Sequence, residues 1–326
     1  PRSGLTPPRA CGAAGGKVPF LSRQVLTVIP AVDGSSFHRD SDGNFWRAYL
    51  FISGARTYDI PLNNEQVYRA ARMFREFQEM LTDLPGPPLH ETIPNFHNAP
   101  LRFKRFRQVL KADSCNRAMQ AAPGIDFLLK QAGIFDVLPR LVEKGQIPVR
   151  ITHNDTKINN VMFDDETGEG LCVIDLDTVM PGLSLYDFGD LARTTLCHAA
   201  EDERDLRKVK VDLSRFEAIV NGYLSTAGGF LKKSEREHLI TGAKMMTLLI
   251  GMRFLIDFLE GDPYYKTHRE AHNLERCRVQ FTLVQSIIEH EEEMTKLIPD
   301  GPAGGAAHPP SLPPAARGAF LKKRPP

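Results

Sequence analysis

The 326-residue chain is long enough for one large domain or two modest ones, and its 42% hydrophobic and 25% charged residues are ordinary for a soluble globular protein. Its 41 basic residues nearly balance its 40 acidic ones, so the net charge gives no argument for binding nucleic acid or an anionic membrane. A small-molecule ligand is left open.

The cysteine pattern and the apolar stretches bear on the compartment. The five cysteines are scattered and form neither a C-x-x-C pair nor a Cys/His cluster, so we expect a reduced, cytoplasmic setting. The first residues lack an apolar stretch long enough for a signal peptide. The longest apolar stretch, 239–259, is interrupted by Lys244, Arg253 and Asp257, which indicates a core helix rather than a membrane span.

Both ends of the chain are rich in Gly, Pro and Ala and lack periodicity. This composition predicts disordered tails at 1–20 and 300–326. Between them, the first β-rich segments are 24–30 and 45–53, which a stretch of turn-forming residues separates. The pattern predicts a small antiparallel piece within residues 21–60.

The remainder of the ordered chain, 61–299, has a mainly helical pattern. Apolar residues at helical spacing predict an amphipathic helix over 64–84, with Asn63 or Asn64 as its cap. Further helices are predicted at about 103–112, 116–131, 134–144, 187–198, 213–227, 234–260 and 273–296. The segment 149–175 differs, because short apolar runs alternate with Asp, Asn and Gly, and it predicts a strand, a loop and a hairpin.

The stretch HNDTKINNVMFDDETGEGLCVIDLD carries polar residues at a spacing that phosphoryl transfer can use. Asp155 is followed by Lys157 and Asn160, and the predicted hairpin then returns the chain to Asp175, beside Asn160. A carboxylate and an amide oxygen side by side are suited to Mg²⁺, which bridges nucleotide phosphates. Asp155 is then free to accept a hydrogen bond from an attacking hydroxyl, and Lys157 can reach the transferred phosphate.

These residues resemble the protein-kinase-like phosphotransferases, whose catalytic loop has the form H-x-D-x-x-x-x-N. The return to Ile-Asp-Leu-Asp resembles the aminoglycoside phosphotransferase-like small-molecule kinases, and HNDTKINN, VIDLDTVMPG and DFGDLAR are similar to segments of N-acetylhexosamine 1-kinases. The resemblance runs from about 24 to 298 and is most specific over 151–193. It implies an α+β, protein-kinase-like fold with a large, mostly helical C-lobe and only a remnant of the N-terminal β-lobe. It also implies ATP and Mg²⁺ as cofactors.

The resemblance implies a role for each matching position. Asp155 corresponds to the catalytic base and Lys157 to the lysine that contacts phosphate. Asn160 and Asp175 correspond to the metal ligands, and Asp177 is a less certain ligand of the metal or of phosphate-bound water. The other implied positions are the adenine-recognising hinge at Phe51, Ile52 and Ser53, the sugar-holding Arg253 with Tyr264 or Tyr265, and the structural residues His153 and Asp190.

The tripeptide Asp-Phe-Gly at 187–189 is spelled like the metal-binding motif of protein kinases. One short hairpin joins Asn160 to Asp175, whereas Asp187 lies beyond a further loop. We therefore assign the metal to Asp175 and interpret the spelling as accidental. YDFGDL is expected to open a helix, in which Asp190 resembles the acid that braces the catalytic loop through its backbone.

Kinases of this type begin with a glycine-rich hairpin, a strand lysine and a helix with an acidic partner. The segment before residue 24 shows none of these patterns, so we expect 1–20 not to be native kinase sequence. Residues 21–60 are then the remnant of the N-lobe sheet with the hinge, and 61–299 are the C-lobe. We favour a fragment or an incorrect gene start over a degraded ATP lobe; either would put the competence of the chain in doubt.

The leading hypothesis is ATP-dependent phosphorylation of a sugar hydroxyl, with the anomeric hydroxyl of an N-acetylhexosamine as the expected acceptor. Choline, homoserine or an aminoglycoside are alternative acceptors, because Asp257, Glu260 and Asp262 lie near Arg253 and could bind a cation. A non-catalytic kinase-like module is a further alternative. The expected partner is a small-molecule sugar, with no nucleic acid and no membrane; the oligomeric state is open.

Overall fold

A computed structural model describes residues 23–225 and 230–299, so both predicted tails lie outside the described residues. Within that part of the chain the helices are α1 (Asn64–Met80), α2 (Ala99–Ala112), α3 (Ala122–Gln131), α4 (Val137–Glu143), α5 (Ser184–Thr195), α6 (Leu213–Leu224), α7 (Lys233–Glu237), α8 (Leu239–Leu259), α9 (His272–Glu289) and α10 (Glu291–Lys296). The strands are β1 (Val28–Ile29), β2 (His38–Arg39), β3 (Phe45–Trp46), β4 (Ala48–Tyr49), β5 (Ala55–Arg56), β6 (Arg150–Thr152), β7 (Val161–Asp164), β8 (Gly170–Val173) and β9 (Met180–Gly182).

The N-terminal strands are much shorter than predicted. Within residues 23–225 and 230–299, β1 pairs only with β4 and β2 only with β3, each antiparallel and two residues long. Asp40 forms the turn between β2 and β3, because its carboxylate accepts hydrogen bonds from the backbone N–H groups of Asp42 and Asn44. Strand β5 joins the hairpin β7–β8 instead, in a three-stranded sheet of order β5-β7-β8.

Two predicted long helices are each interrupted by a histidine. The helix predicted over 234–260 breaks at His238, and the one predicted over 273–296 breaks at His290. In each case a ring nitrogen of the histidine lies 2.7–2.8 Å from the carbonyl oxygen four residues earlier, that of Ser234 or Ser286. Hydrogen bonding between a side chain and the local backbone in this way competes with continuation of the helix.

Helix α8 lies in the core, as the sequence predicted, between α5 and α9. By length and composition alone it could cross a membrane, but 78% of its apolar window is buried inside the protein. Gly189 of α5 and Gly242 of α8 allow the close approach of these helices: a Cβ added at Gly189 would lie 2.3 Å from the Gly242 carbonyl oxygen. The glycine of the Asp-Phe-Gly tripeptide therefore serves helix packing.

Candidate active site

The catalytic loop is held between two strand pairs. Strand β6 leads into it and pairs antiparallel with β9, which the sequence analysis had treated as loop. The predicted hairpin β7–β8 follows the loop, and the N–H of Ile174 donates to the carbonyl of Asn160 at 2.9 Å. Asp175 is the next residue, so the hairpin returns it to the side of Asn160.

The side chains of Lys157 and Asn160 both contact Asp155. The ammonium of Lys157 lies 2.9 Å from Oδ1 of Asp155, whose side chain is 22% exposed. The amide of Asn160 donates to the backbone carbonyl of Asp155 at 2.8 Å and lies 3.3 Å from its Oδ2. The amide nitrogen of Asn160 thus orients Asp155, and the amide oxygen of Asn160 is left for another partner.

The donor set at the end of the hairpin fits a magnesium ion. Asp175 has a left-handed backbone (φ 58°), and within residues 23–225 and 230–299 its carboxylate has no hydrogen-bond or ion-pair partner. Together with Oδ1 of Asn160 it offers hard oxygen ligands. Asp177 is placed differently, because its carboxylate is ion-paired with Arg47 and is 64% exposed.

Asp187 is a buried brace of the catalytic loop that the sequence analysis missed. Its Oδ2 accepts hydrogen bonds from the N–H of His153 at 2.9 Å and from Nε2 of Gln78 at 2.5 Å, and its Oδ1 accepts one from the N–H of Asn154 at 2.7 Å. The side chain is fully buried, and burial raises the pKa of its carboxyl. Both oxygens are in use, which leaves no coordination site for a metal.

Asp190 lies one helical turn beyond Asp187 and contacts the same loop. Its Oδ2 accepts from the N–H of Thr156 at 2.8 Å, and its Oδ1 accepts from Nε of Arg193 at 2.7 Å. Burial alone would raise the pKa of Asp190, but the charges of Arg193 and Lys157 lower it overall. The available signal for the pair was the Asp-x-x-Asp spacing, which places both carboxylates on one helix face.

His153 is held in the core beneath the loop. Its Nε2 lies 2.9 Å from the carbonyl oxygen of Ile174, and its ring meets the edges of Phe74 and Phe77 at 5.4 and 5.7 Å between centroids. The ring therefore joins the catalytic loop to the returning hairpin strand and to α1.

Arg253 and Tyr265, both predicted to hold the acceptor, come together around an aromatic residue that the sequence analysis did not select. The guanidinium carbon of Arg253 lies 5.5 Å from the ring centroid of Phe96 and 5.7 Å from that of Tyr265. Tyr264 stands edge-on to Tyr265 and is 74% exposed. These four side chains form a wall, which we call the acceptor wall.

His97 connects the acceptor wall to the catalytic loop. Its ring lies 4.4 Å from that of Phe96, and its Nε2 donates to the carbonyl of Asn154, next to Asp155, at 2.9 Å. No motif marks Phe96 or His97, so only the fold places them here.

The strand predicted to reach Ser53 ends at Tyr49, so that Phe51 and Ile52 of the predicted hinge have no regular structure and Ser53 lies in a turn. Ile52 is buried beside the hairpin residues of β8, whereas Phe51 is 84% exposed. The carbonyl of Ser53 accepts from Nη2 of Arg23 at 3.1 Å. Adenine recognition at 51–53 stays a prediction.

Comparison with known proteins places the chain in a class. The family model of the phosphotransferase enzyme family (APH) matches residues 18–219, more than half of the chain, and the chain belongs to this family. It is thus a small-molecule phosphotransferase by family, as the catalytic-loop residues had indicated.

Several solved structures are similar to this chain, and the first of them shows the same fold. An aminoglycoside phosphotransferase from Alicyclobacillus acidocaldarius matches with a TM-score of 0.57 at 14% identity, over 84% of this chain and 78% of that one. A choline/ethanolamine kinase family protein from Mesorhizobium loti gives 0.49 at 16% identity, over 85% and 79%. A spectinomycin phosphotransferase in complex with ADP and spectinomycin gives 0.46 at 11%, over 83% and 78%. The predicted α+β, protein-kinase-like fold with a helical C-lobe is confirmed.

Proposed function

We propose that the protein transfers the γ-phosphoryl group of ATP to a sugar hydroxyl, with the anomeric hydroxyl of an N-acetylhexosamine as acceptor. The observation that carries this choice is the charge of the acceptor wall. The carboxylates near the wall are bound within the fold, whereas the guanidinium of Arg253 has no ion-pair partner in the described part of the chain.

Each acid that could have bound a cationic acceptor has another partner. Asp257 accepts hydrogen bonds from the backbone N–H groups of Tyr264 and Tyr265 at 2.9 and 3.0 Å and is 3% exposed. Glu260 is paired with Arg105, and Asp262 lies 2.5 Å from Arg117. A choline or aminoglycoside ammonium group would find no free carboxylate among these three, which favours a hydroxyl-bearing acceptor.

Asp155 and the two side chains that contact it suit the transfer step. Asp155 accepts the hydrogen bond of the acceptor hydroxyl and takes its proton as the new P–O bond forms and the bond from the γ-phosphorus to the bridging oxygen breaks, releasing ADP. Asn160 holds Asp155 in place for this. Lys157, 2.9 Å from the same carboxylate, stabilises the negative charge of the migrating phosphoryl group.

Asn160 and Asp175 are the residues that would hold Mg²⁺. When bound, the ion neutralises charge on the nucleotide phosphates. Asp177, which is ion-paired with Arg47, would be a further ligand of the metal or of phosphate-bound water.

The assignment of Asp155 is tested by Asp155→Asn in the full chain. The substitution keeps the shape but removes the base, so turnover should fall by about 10²–10⁴-fold while nucleotide affinity is unchanged. Phosphate-transfer assays and calorimetric titration with ATP measure the two quantities. Asp126→Asn, at an exposed position of α3, is the matched control. Undiminished turnover of Asp155→Asn would rule out its role.

The acceptor is tested by a transfer screen over N-acetylhexosamines, other sugars, choline, homoserine and aminoglycosides. The proposal expects activity with sugars, N-acetylhexosamines first. Activity confined to choline, homoserine or aminoglycosides would overturn it. Nucleotide and sugar binding without transfer to any compound would identify a binding module instead.

A further inference from the structure

Two arginines from different helices meet at Phe96. Nε and Nη2 of Arg102, in α2, donate to the carbonyl oxygen of Phe96 at 3.1 and 2.9 Å. Arg253, in α8, lies over the ring of the same residue. Both side chains are only partly exposed, so two cationic groups are brought together in a half-buried setting.

Neither guanidinium has a carboxylate partner among the described residues, 23–225 and 230–299. Neighbouring arginines differ in this respect, since Arg105, Arg117 and Arg193 are paired with Glu260, Asp262 and Asp190. Burying unpaired charge is costly, and the cost grows when a like charge is close. Burial and the charge of Arg253 both lower the pKa of Arg102.

The arginine pair is close to the chemistry. The ring of Phe96 lies 4.4 Å from that of His97, and the His97 ring donates to the carbonyl of Asn154 in the catalytic loop. Tyr265, whose ring centroid lies 5.7 Å from the guanidinium carbon of Arg253, completes the acceptor wall. A sugar whose hydroxyl reaches Asp155 can therefore direct a substituent toward the two guanidinium groups.

We propose that Arg102 and Arg253 form an anion-binding subsite for the acceptor, so that the favoured substrate is a hexosamine carrying a carboxylate, phosphate or sulfate group. The planar guanidinium presents paired N–H donors that match the oxygens of these groups. An anionic substituent would also supply the negative charge that the protein does not. This inference rests on the proposed function, because it takes the acceptor to be a sugar.

The test is calorimetric titration of the full chain with matched sugars. One set is N-acetylglucosamine, its 6-phosphate and its 6-sulfate, and the other is glucose and glucuronate. Each anionic sugar that fits should bind at least about tenfold more tightly than its neutral counterpart, with an affinity that falls as NaCl is raised. The phosphate, sulfate and carboxylate arms show which anion the subsite prefers.

Arg102→Gln should remove this preference, with at least about a tenfold loss for the anionic sugar and a change within about twofold for the neutral one. Arg107→Gln, the same change at an exposed position of α2, should behave as the wild type. Arg102→Lys keeps the charge and should retain part of the preference. Circular dichroism and thermal melting show whether each variant is folded. If Arg102→Gln does not fold, the inference is still tested by the wild type, through its affinities for neutral and anionic sugars and the dependence of these affinities on NaCl.

Equal binding of neutral and anionic sugars, or equal loss of both in Arg102→Gln, would overturn the inference while the proposed sugar kinase stands. Failure of every sugar to bind, together with transfer to choline, homoserine or an aminoglycoside, would overturn the proposed function and the inference with it. The two failures are thus distinguishable.

Discussion

The N-terminal strands are exposed to solvent, whereas the backbone of the catalytic loop is bound by buried side chains. All residues of β1 to β4 are exposed, and large apolar side chains lie on the surface there, among them Trp46 at 61% and Phe51 at 84%. The loop from His153 to Asn160 is instead fixed by buried carboxylates of α5 and by a histidine in the core.

The difference shows which region contributes more to the stability of the fold. Two-residue strand pairs bury little apolar surface and are marginal by themselves. A loop whose N–H groups bond to buried carboxylates can move only if those charges lose their partners. We therefore expect the geometry of Asp155 to depend on the helical body and not on the strands near Phe51.

The largest effect on the catalytic loop is expected from Asp187→Asn. The carboxylate of Asp187 accepts hydrogen bonds from the backbone N–H groups of His153 and Asn154. An amide would turn its own NH₂ group toward one of these donors, so the free energy of unfolding should fall by about 3 kcal/mol. Urea denaturation measures the loss, and amide hydrogen exchange should accelerate at His153 and Asn154 first. Asp126→Asn, on the surface of α3, is the control and should match the wild type. A variant with wild-type stability would contradict the comparison.

A smaller effect is expected from the titration of His97. Burial lowers its pKa from 6.5 to about 4, so the unfolded chain takes up a proton in a range of pH where the folded chain does not. The contribution of His97 to stability is complete above pH 6.5 and is lost as the pH falls toward 4. Between pH 6.5 and about pH 5 the loss should reach about 2 kcal/mol.

Urea denaturation of the wild type and of His97→Gln, each at about pH 7.5 and about pH 5, isolates this contribution. The wild type should lose about 2 kcal/mol more than the variant on acidification, since glutamine does not titrate. Equal losses in the two proteins would show that His97 is protonated in the folded state or is not buried.

The smallest effect is expected from Phe51→Ala. The side chain is 84% exposed, so its removal should change the free energy of unfolding by no more than about 0.5 kcal/mol. Phe188→Ala, at a fully buried position of α5, should cost about 3–5 kcal/mol in the same denaturation experiment. A large loss for Phe51→Ala would show that the N-terminal region stabilises the fold after all.

Local pattern predicted the parts of the site that lie close together in the chain. Asp155, Lys157 and Asn160 share one loop, and a single hairpin returns the chain to Asp175. Long-range pairing was not predictable in the same way. The joining of β5 to β7 and of β9 to β6 leaves no periodicity in strands of two to four residues.

The sequence by itself determined the family, the fold class and the catalytic loop, because these rest on short-range spacing. Only the tertiary structure decided that Asp187 braces the loop from within and that Phe96 brings Arg102 to Arg253. It also decided that Asp257 is bound to backbone rather than free for a cation. The physical reason is that a carboxylate or a guanidinium acts through its partners, and here most partners come from distant segments of the chain.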